Sequence, residues 1–321
     1  MLRRSGLLVL FVLFTGRGAM ADGQARFAGN WVLRLGSRVF LVLELTPDAH
    51  AAGGYRGSMV RLERFENIGS AGFSHIGGKA IPFPVVKTEA RGECLAFTTE
   101  RPSDKSDTDD FVLCVNGAGQ GELRLDAPGV EPWRLTREIA APSAATDWMA
   151  GRAYFFDDTD ASNDEMKRIF DADQKDRTDD SSKVDWGEVD KRDHERRAET
   201  EKLLADAKLH TGKDFERAAF VFQHGSTPED YLLAHTLAMV AVARGEASAI
   251  WIAAATMDRY LNSIHQPQVY GTQFWFHGKE PVTQEPYNRT LIPDSLRRQL
   301  GVPGQATQEE QRKGYEKDRS Q

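Results

Sequence analysis

The chain predicts an α+β protein with segregated halves, an antiparallel β-barrel or sandwich first and an all-α domain second. Three observations carry this. Apolar residues alternate in short runs between residues 30 and 139. A small-residue stretch at 140–145, containing Pro142, breaks the pattern. Beyond it, helix-start signals replace the alternation. The resulting division is a leader at 1–21, a β domain at 22–140, a linker at 141–160, a helical domain at 161–303 and a polar tail at 304–321 that reads as a frayed helix or disordered.

The leader combines Arg3 and Arg4, an apolar run over 7–14 and the exit Ala19-Met20-Ala21, the pattern of a cleaved secretory signal. The run is well short of the roughly 20 residues that span a bilayer. No cysteine lies near the cleavage point, which argues against a lipid anchor, and Ser5-Gly6 after the two arginines points to ordinary secretion. The expected location is periplasmic or secreted, with no integral membrane span after cleavage. The whole chain carries 41 basic and 48 acidic residues, a net charge of -7. Cleavage removes three arginines and no acids, which makes the mature chain more negative still. That charge disfavours nucleic acid and anionic lipid as partners.

Seven runs read as strands: Trp31-Val-Leu-Arg-Leu35, Val39-Phe-Leu-Val-Leu-Glu-Leu45, Gly54-Tyr-Arg-Gly-Ser-Met-Val60, Cys94-Leu-Ala-Phe97, Phe111-Val-Leu-Cys-Val115, Gly121-Glu-Leu-Arg-Leu125 and Trp133-Arg-Leu135. Thr46-Pro-Asp, Gly53-Gly54 and Asn116-Gly117 separate them as turns. Cys94 and Cys114 sit in two of these runs. An oxidising compartment allows a disulfide between neighbouring strands, and two buried free thiols are the alternative. Phe27-Ala-Gly-Asn-Trp31 resembles the Gly-x-Trp opening strand of lipocalin-like barrels, over that one strand. Such a barrel either holds an apolar ligand or is filled by its own side chains.

Three helix starts are marked: Ser162-Asn-Asp-Glu165 has capping-box spacing, and Thr211-Gly-Lys-Asp214 and Thr227-Pro-Glu-Asp230 are looser versions with Asp at the third position, the last with Pro228 at the first helical position. Gly225 and Gly245 read as helix stops. The acidic stretch 157–190 reads as the solvated face of a helix, with a nonstandard cation site as the alternative. It is no EF-hand, since Asp176 and Ser182 stand where a glycine and a bidentate glutamate would be required. Residues Ile250, Ala253, Ala254, Met257, Leu261 and Ile264 form one apolar stripe, with Asp258 and Asn262 on its flank. The helix before it is apolar all round except for His235, which predicts burial between neighbours.

The candidate site residues gather between 220 and 273. His235 is either a core histidine bonded to a backbone carbonyl or a partner of Asp258 or His224 in proton transfer or ligand binding. Arg259 is a candidate ligand-binding residue, although Asp258 and Arg259 equally suit a structural ion pair. The loop Gln266-Pro-Gln-Val-Tyr-Gly-Thr-Gln273 offers Gln268, Tyr270 and Gln273 either for recognition of a polar organic group or for buttressing a helix end. No compact metal motif, nucleophile elbow, phosphate loop or dinucleotide fingerprint is present, so no metal and no cofactor is expected.

Asp173-Gln174, Gln223-His224-Gly225, Thr227-Pro228, Asp258-Arg259 and Gln268-x-Tyr270-Gly-Thr-Gln273 together resemble a bacterial helical family known as a domain of unknown function, over roughly 165–301. The resemblance implies a compact α domain and assigns no activity. Ala249, Trp251 and Ala254-Ala255 are also similar to tetratricopeptide or Sel1-type hairpins, for one unit. The expected function is an exported binding or interaction module for a peptide, glycan, small polar ligand or envelope protein. The alternatives are a purely structural or assembly role and an envelope hydrolase-like enzyme with His224 or His235 as base, Asp258 as orienter and Gln268 or Gln273 positioning substrate.

Overall fold

The computed structural model describes residues 26–69, 71–117, 119–126, 130–178 and 184–319. The leader and the mature start lie outside the described residues. Two compact units divide the chain, the first built from segments ending at 34, 38–71 and 76–148, the second from 35–37, 72–75 and 149 onward.

The first unit is an eight-stranded antiparallel β-barrel. Its strands are β1 (Gly29–Leu35), β2 (Arg38–Pro47), β3 (Tyr55–Asn67), β4 (Gly72–Arg91), β5 (Cys94–Arg101), β6 (Asp104–Val115), β7 (Gln120–Leu125) and β8 (Trp133–Glu138). Sequence neighbours pair, β8 returns to β1, and β3 pairs with β4, so the ring closes without an open edge. Successive side chains alternate across a strand, and the pairing stacks like faces: Leu95 opposes Leu113, Phe97 opposes Phe111, and Leu123 opposes both Leu113 and Trp133. All six are buried. Phe97 and Phe111 stack at 5.4 Å between centroids.

Trp31 is fully buried, donates Nε1–H to the Phe27 carbonyl at 2.8 Å and lies 4.4 Å beneath the Arg137 guanidinium. Gly121 makes room for it, since a Cβ there would come within 3.0 Å of the indole and 3.2 Å of Leu113. Cys94 and Cys114 are cross-strand partners with Cα atoms 4.3 Å apart, and they form a disulfide. The strand that the alternation missed is β4, whose Gly77, Gly78, Pro82 and Pro84 disrupt any apolar rhythm. Both prolines precede the stretch from Val85 that pairs with β5, so neither is asked to donate to that ladder.

The second unit is helical: α1 (Asp164–Thr178), α2 (Trp186–Ala205), α3 (Gly212–Phe222), α4 (Pro228–Ala243), α5 (Ala249–Ser263), α6 (Asp294–Gln299) and α7 (Gln305–Arg319). A two-residue strand, β9 (Tyr154–Phe155), pairs with Gly72 and Phe73 in the same unit. Among the described residues no helix is long and apolar enough to cross a membrane. The capping boxes at Thr211/Asp214 and Thr227/Asp230 both form. The one expected at Ser162 does not. Asn163 caps α1 by accepting from the Met166 N–H at 2.9 Å, and Ser162 donates instead to Asp214.

Packing corrects two expectations. On α4, Ala234, Leu237, Ala238 and Ala241 make the buried face, while Leu232 and Met239 are 42 % and 52 % exposed, so the helix is not enclosed. On α5 the buried residues centre on Ala249, Ile252, Ala253 and Thr256; Ile264 is exposed. The buried face thus combines small side chains with Ile252, which is fully buried in the helical core. The tail is likewise ordered as α7: Arg312 donates to the Val282 carbonyl at 2.9 Å, and Glu316 accepts from the Val282 N–H at 2.6 Å.

Asp214 is fully buried and accepts from Ser162, from the N–H groups of Asn163 (2.8 Å), His210 (3.2 Å) and Thr211 (3.0 Å). Burial opposes its ionisation, but these hydrogen bonds outweigh it and hold the carboxyl below its ordinary value. A depressed folded value stabilises above the unfolded value of about 3.9 and is lost as pH falls through the folded one. Urea unfolding from pH 7 to pH 3 therefore loses this contribution at the acid end. Asp214→Asn lowers stability at pH 7 by about 2 kcal/mol and flattens that acid limb. Separately, reduction of Cys94–Cys114, separated by 20 residues, lowers the unfolding free energy of the barrel by about 3 kcal/mol in urea.

Candidate functional site

The Gln-rich loop is built into the scaffold. Helix α5 ends with His265 in the left-handed region (φ 59°) and with the Gln266 N–H bonded back to Leu261 O at 2.8 Å, a Schellman-type stop that uses histidine where glycine is usual. The chain then folds over Asp258, which is fully buried. Asp258 Oδ1 accepts from the N–H groups of Val269 (2.8 Å) and Tyr270 (3.0 Å); Oδ2 accepts from Thr272 N (2.9 Å) and Thr272 Oγ1 (2.8 Å). Gly271 is required at the crest. Its φ is +80°, and a Cβ would fall 2.3 Å from Gln308 Oε1 and 2.4 Å from Tyr287 Oη.

The amides close the loop on itself. Gln268 donates to Gln273 O at 3.0 Å and Gln284 O at 2.6 Å, and its Oε1 accepts from Gln273 N at 3.0 Å. Gln273 donates to Thr272 Oγ1 at 2.9 Å and Ala255 O at 3.3 Å. The Tyr270 carbonyl receives Arg297 Nε at 3.2 Å and Gln308 Nε2 at 2.8 Å. Burial, reinforced by the Asp258 charge, pushes the Tyr270 phenol upward, so it stays protonated near neutrality. Of the two readings of this loop, buttressing is the one its geometry supports.

His235 and Asp258 do not meet. The Nδ1 atom of His235 lies 2.8 Å from the Ala253 carbonyl, which makes it a donor to backbone and a packing histidine. Asp258 serves neither as its orienter nor as a partner of Arg259, because every hydrogen bond of its carboxylate goes to 269–272.

His224 is different. It follows the C-cap of α3, and its Nδ1 lies 3.0 Å from Oδ1 of Asp173 on α1. Asp173 is fully buried, although the acidic stretch that contains it reads as a solvated face. The same Oδ1 also accepts from Arg177 at 3.1 Å, and Gln174 donates to Oδ2 at 2.8 Å. A carboxylate that receives a guanidinium is ionised and can only accept, so His224 Nδ1 carries the hydrogen. Nε2 then presents its lone pair in the neutral ring. Among the described residues Nε2 has no hydrogen-bond partner, and it is not sealed from solvent.

A salt-bridge network on α1 and α2 holds this pair. Arg177 also binds Asp193, Arg196 bridges Asp193 and Asp176, and Arg192 donates to Asp176 at 2.8 Å. The Arg192 hydrogen bond, with Arg196 behind it, keeps the Asp176 carboxyl below its ordinary value. Arg197 fixes the backbone by donating to His224 O at 2.8 Å, and Tyr231 donates to Gly225 O at 2.8 Å. Arg259 stands apart from these pairings. It is half-buried, its Nε is sealed without a hydrogen bond, and burial followed by the competing influences of Tyr231 and Arg177 lowers its pKa.

His224 and Arg259 are candidates in the sequence, Asp173 stands there only within the family resemblance, and Arg177 is not among them. The usable signal was spacing, since Asp173 and Arg177 are one helical turn apart and present both charges on one face. The barrel unit also carries a recess of about 410 Å³ lined by Asp48, His50, Tyr55, Arg56, Val86 and Lys87 among others. No group of three or more potential metal-ligating side chains occurs among the described residues. No protein-family profile, curated protein or solved structure matches the chain.

Asp258→Ala removes the acceptor of three part-buried N–H groups and the Thr272 hydroxyl and is expected to lower stability by about 3 kcal/mol in urea unfolding. The His224 ring resonances, which depend on α1 and α3, are expected to stay in place in the same variant.

Proposed function

We propose that this is an exported two-domain binding protein whose helical unit takes a small polar ligand or peptide group at His224. The observation that carries this reading is the 3.0 Å contact from His224 Nδ1 to buried Asp173, which leaves Nε2 accessible and fixes the tautomer. The ligand contact thus lies at the α1–α3 edge of the helical unit and not on the Gln268–Gln273 loop. Export is supported by the leader pattern at 1–21 and agrees with the Cys94–Cys114 disulfide. Its direct check is N-terminal sequencing of the mature protein from the periplasm or medium, with a start near residue 22 expected.

A second reading uses the same pair. An imidazole oriented by a carboxylate, with its Nε2 lone pair directed outward, is the arrangement of a general base, and a hydrolase-like enzyme would use His224 with Asp173 as its positioning residue. Turnover by wild type that His224→Gln abolishes would select this reading over simple binding.

The test of the shared site is nitrogen-resolved NMR of the imidazole. Wild type is expected to show the Nδ1–H tautomer at high pH, and Asp173→Asn to weaken that preference. Fragment screening should return polar compounds that shift His224 in wild type and bind at least about tenfold more weakly to His224→Gln. Fragments that shift only the 266–273 loop would overturn the assignment.

A further inference from the structure

The recess in the barrel unit has two walls, and the fold fixes both. One is the turn between β2 and β3, which closes on itself: Asp48 N–H donates to Gly54 O at 2.8 Å, and Gly54 N–H to Ala51 O at 2.9 Å. The other is β4 at residues 85–88. The turn lies directly against that strand, since a Cβ on Gly53 would fall 2.5 Å from Glu89 N and 2.8 Å from Thr88 Cβ. Thr88 Oγ1 ties the walls together by donating to Tyr55 O at 3.0 Å. Strand β4 also bulges here. Val85 and Lys87 oppose Thr99 and Thr98, consecutive residues of β5, so Val86 is the extra residue, and it stands 52 % exposed.

The lining is part apolar and part charged. Tyr55 is buried, and Ala51, Val85 and Val86 add aliphatic surface. The fixed charges are Arg56, Lys87 and Asp48, with the imidazole of His50 beside them. Asp48 Oδ1 already accepts from the His50 N–H at 2.9 Å. Lys87 Nζ is 3.9 Å from Glu89, with both side chains more than half exposed, so water screens that pair. No side-chain hydrogen bond or ion pair joins Arg56 to another described residue. In a chain of net charge -7, two cations against one acid make this recess a local exception. The neighbouring recess, which shares Lys87, lacks that excess: Arg91 binds Asp126 at 3.0 Å, and Asp110 accepts from Thr98 at 2.6 Å.

We infer that the larger recess binds a small aliphatic carboxylate, with its head on Arg56 and Lys87 and its alkyl body against Val85, Val86 and Tyr55. The volume of about 410 Å³ falls within the roughly 300–1,000 Å³ of small-molecule sites. A guanidinium fork matches the two oxygens of a carboxylate. Exposed cations alone hold an anion weakly, so the alkyl body supplies the selectivity by covering Val86, which is otherwise wet. Asp48 at the rim disfavours a doubly charged head. This site lies in the barrel unit and does not depend on His224.

The experiment titrates the full chain with acetate, butyrate and hexanoate, and separately with butylamine and inorganic phosphate, at constant ionic strength made up with chloride. NMR follows the amides of 48–56 and 85–88 and the methyls of Val85 and Val86. The expected result is a saturable shift confined to these groups, tightening by about two- to fourfold per added methylene. Phosphate and butylamine should bind at least about tenfold more weakly than hexanoate. Arg56→Gln and Val86→Asp should each weaken hexanoate by about tenfold, and the exposed Arg134→Gln on β8 should leave it unchanged. Amide spectra establish that each variant is folded; for any that is not, the wild-type chain-length series and shift map decide. Equal affinity for acetate, phosphate and hexanoate would overturn the inference in favour of simple charge attraction. Butylamine binding as well as hexanoate would overturn it as apolar contact alone. Shifts outside the recess, no saturable shift, or equal weakening by Arg56→Gln and Arg134→Gln would overturn it as well.

Discussion

A carboxylate without access to water must be met by donors, and at Asp258 four of them come from one short loop. Leaving such a group unmatched would cost several kcal/mol, so the demand is strong enough to dictate backbone shape. It turns the N–H groups of Val269, Tyr270 and Thr272 inward and sends Gly271 into the left-handed region. The carbonyls of Val269 and Tyr270 then face outward to Arg297 on α6, and that of Tyr270 also to Gln308 on α7. Arg297 is itself fully buried, so the C-terminal helices dock through groups that only this loop conformation satisfies. The polar tail is ordered for that reason.

The same constraint separates two adjacent residues. Successive side chains on an α-helix diverge by about 100°, so Asp258 and Arg259 point to different surroundings. One is wholly taken up by structure. The other is half-buried, with its Nε sealed and without a hydrogen bond. The glutamines of the loop return their donors and acceptors to backbone groups, some within the loop and others as far off as Ala255 and Gln284. The histidines divide similarly: His235 is tied to a carbonyl, whereas His224 is held at one nitrogen and open at the other.

In the barrel the ordering principle is register. Opposed Leu95/Leu113 and Phe97/Phe111 keep the interior face continuous, and the same register sets Cys94 against Cys114 at the hairpin base. A shift of one residue would turn every apolar side chain outward and separate the thiols. Closure between β3 and β4 removes the edges that an open sheet of this length would leave unpaired.

Local chemistry was readable wherever neighbours in sequence are also neighbours in space. The alternation of the barrel strands, the Thr211 and Thr227 caps, and the division into a β half and a helical half were determined by residues within a few positions of one another. Tertiary structure decided the rest. Ser162 follows a cap pattern, yet Asp214, 52 residues on, takes its hydroxyl. Strand β4 lacks an apolar rhythm and is held by its partners. The buried face of α5 centres on Ile252, Ala253 and Thr256 and leaves Ile264 exposed, although the apolar stripe includes Ile264 and omits Ile252. The separations that define the site, Asp173 to His224 and Asp258 to the loop, join residues on different elements. Sequence supplied the acids, the histidines and the arginines, but which of those charges pair is a property of distances that only the folded chain possesses.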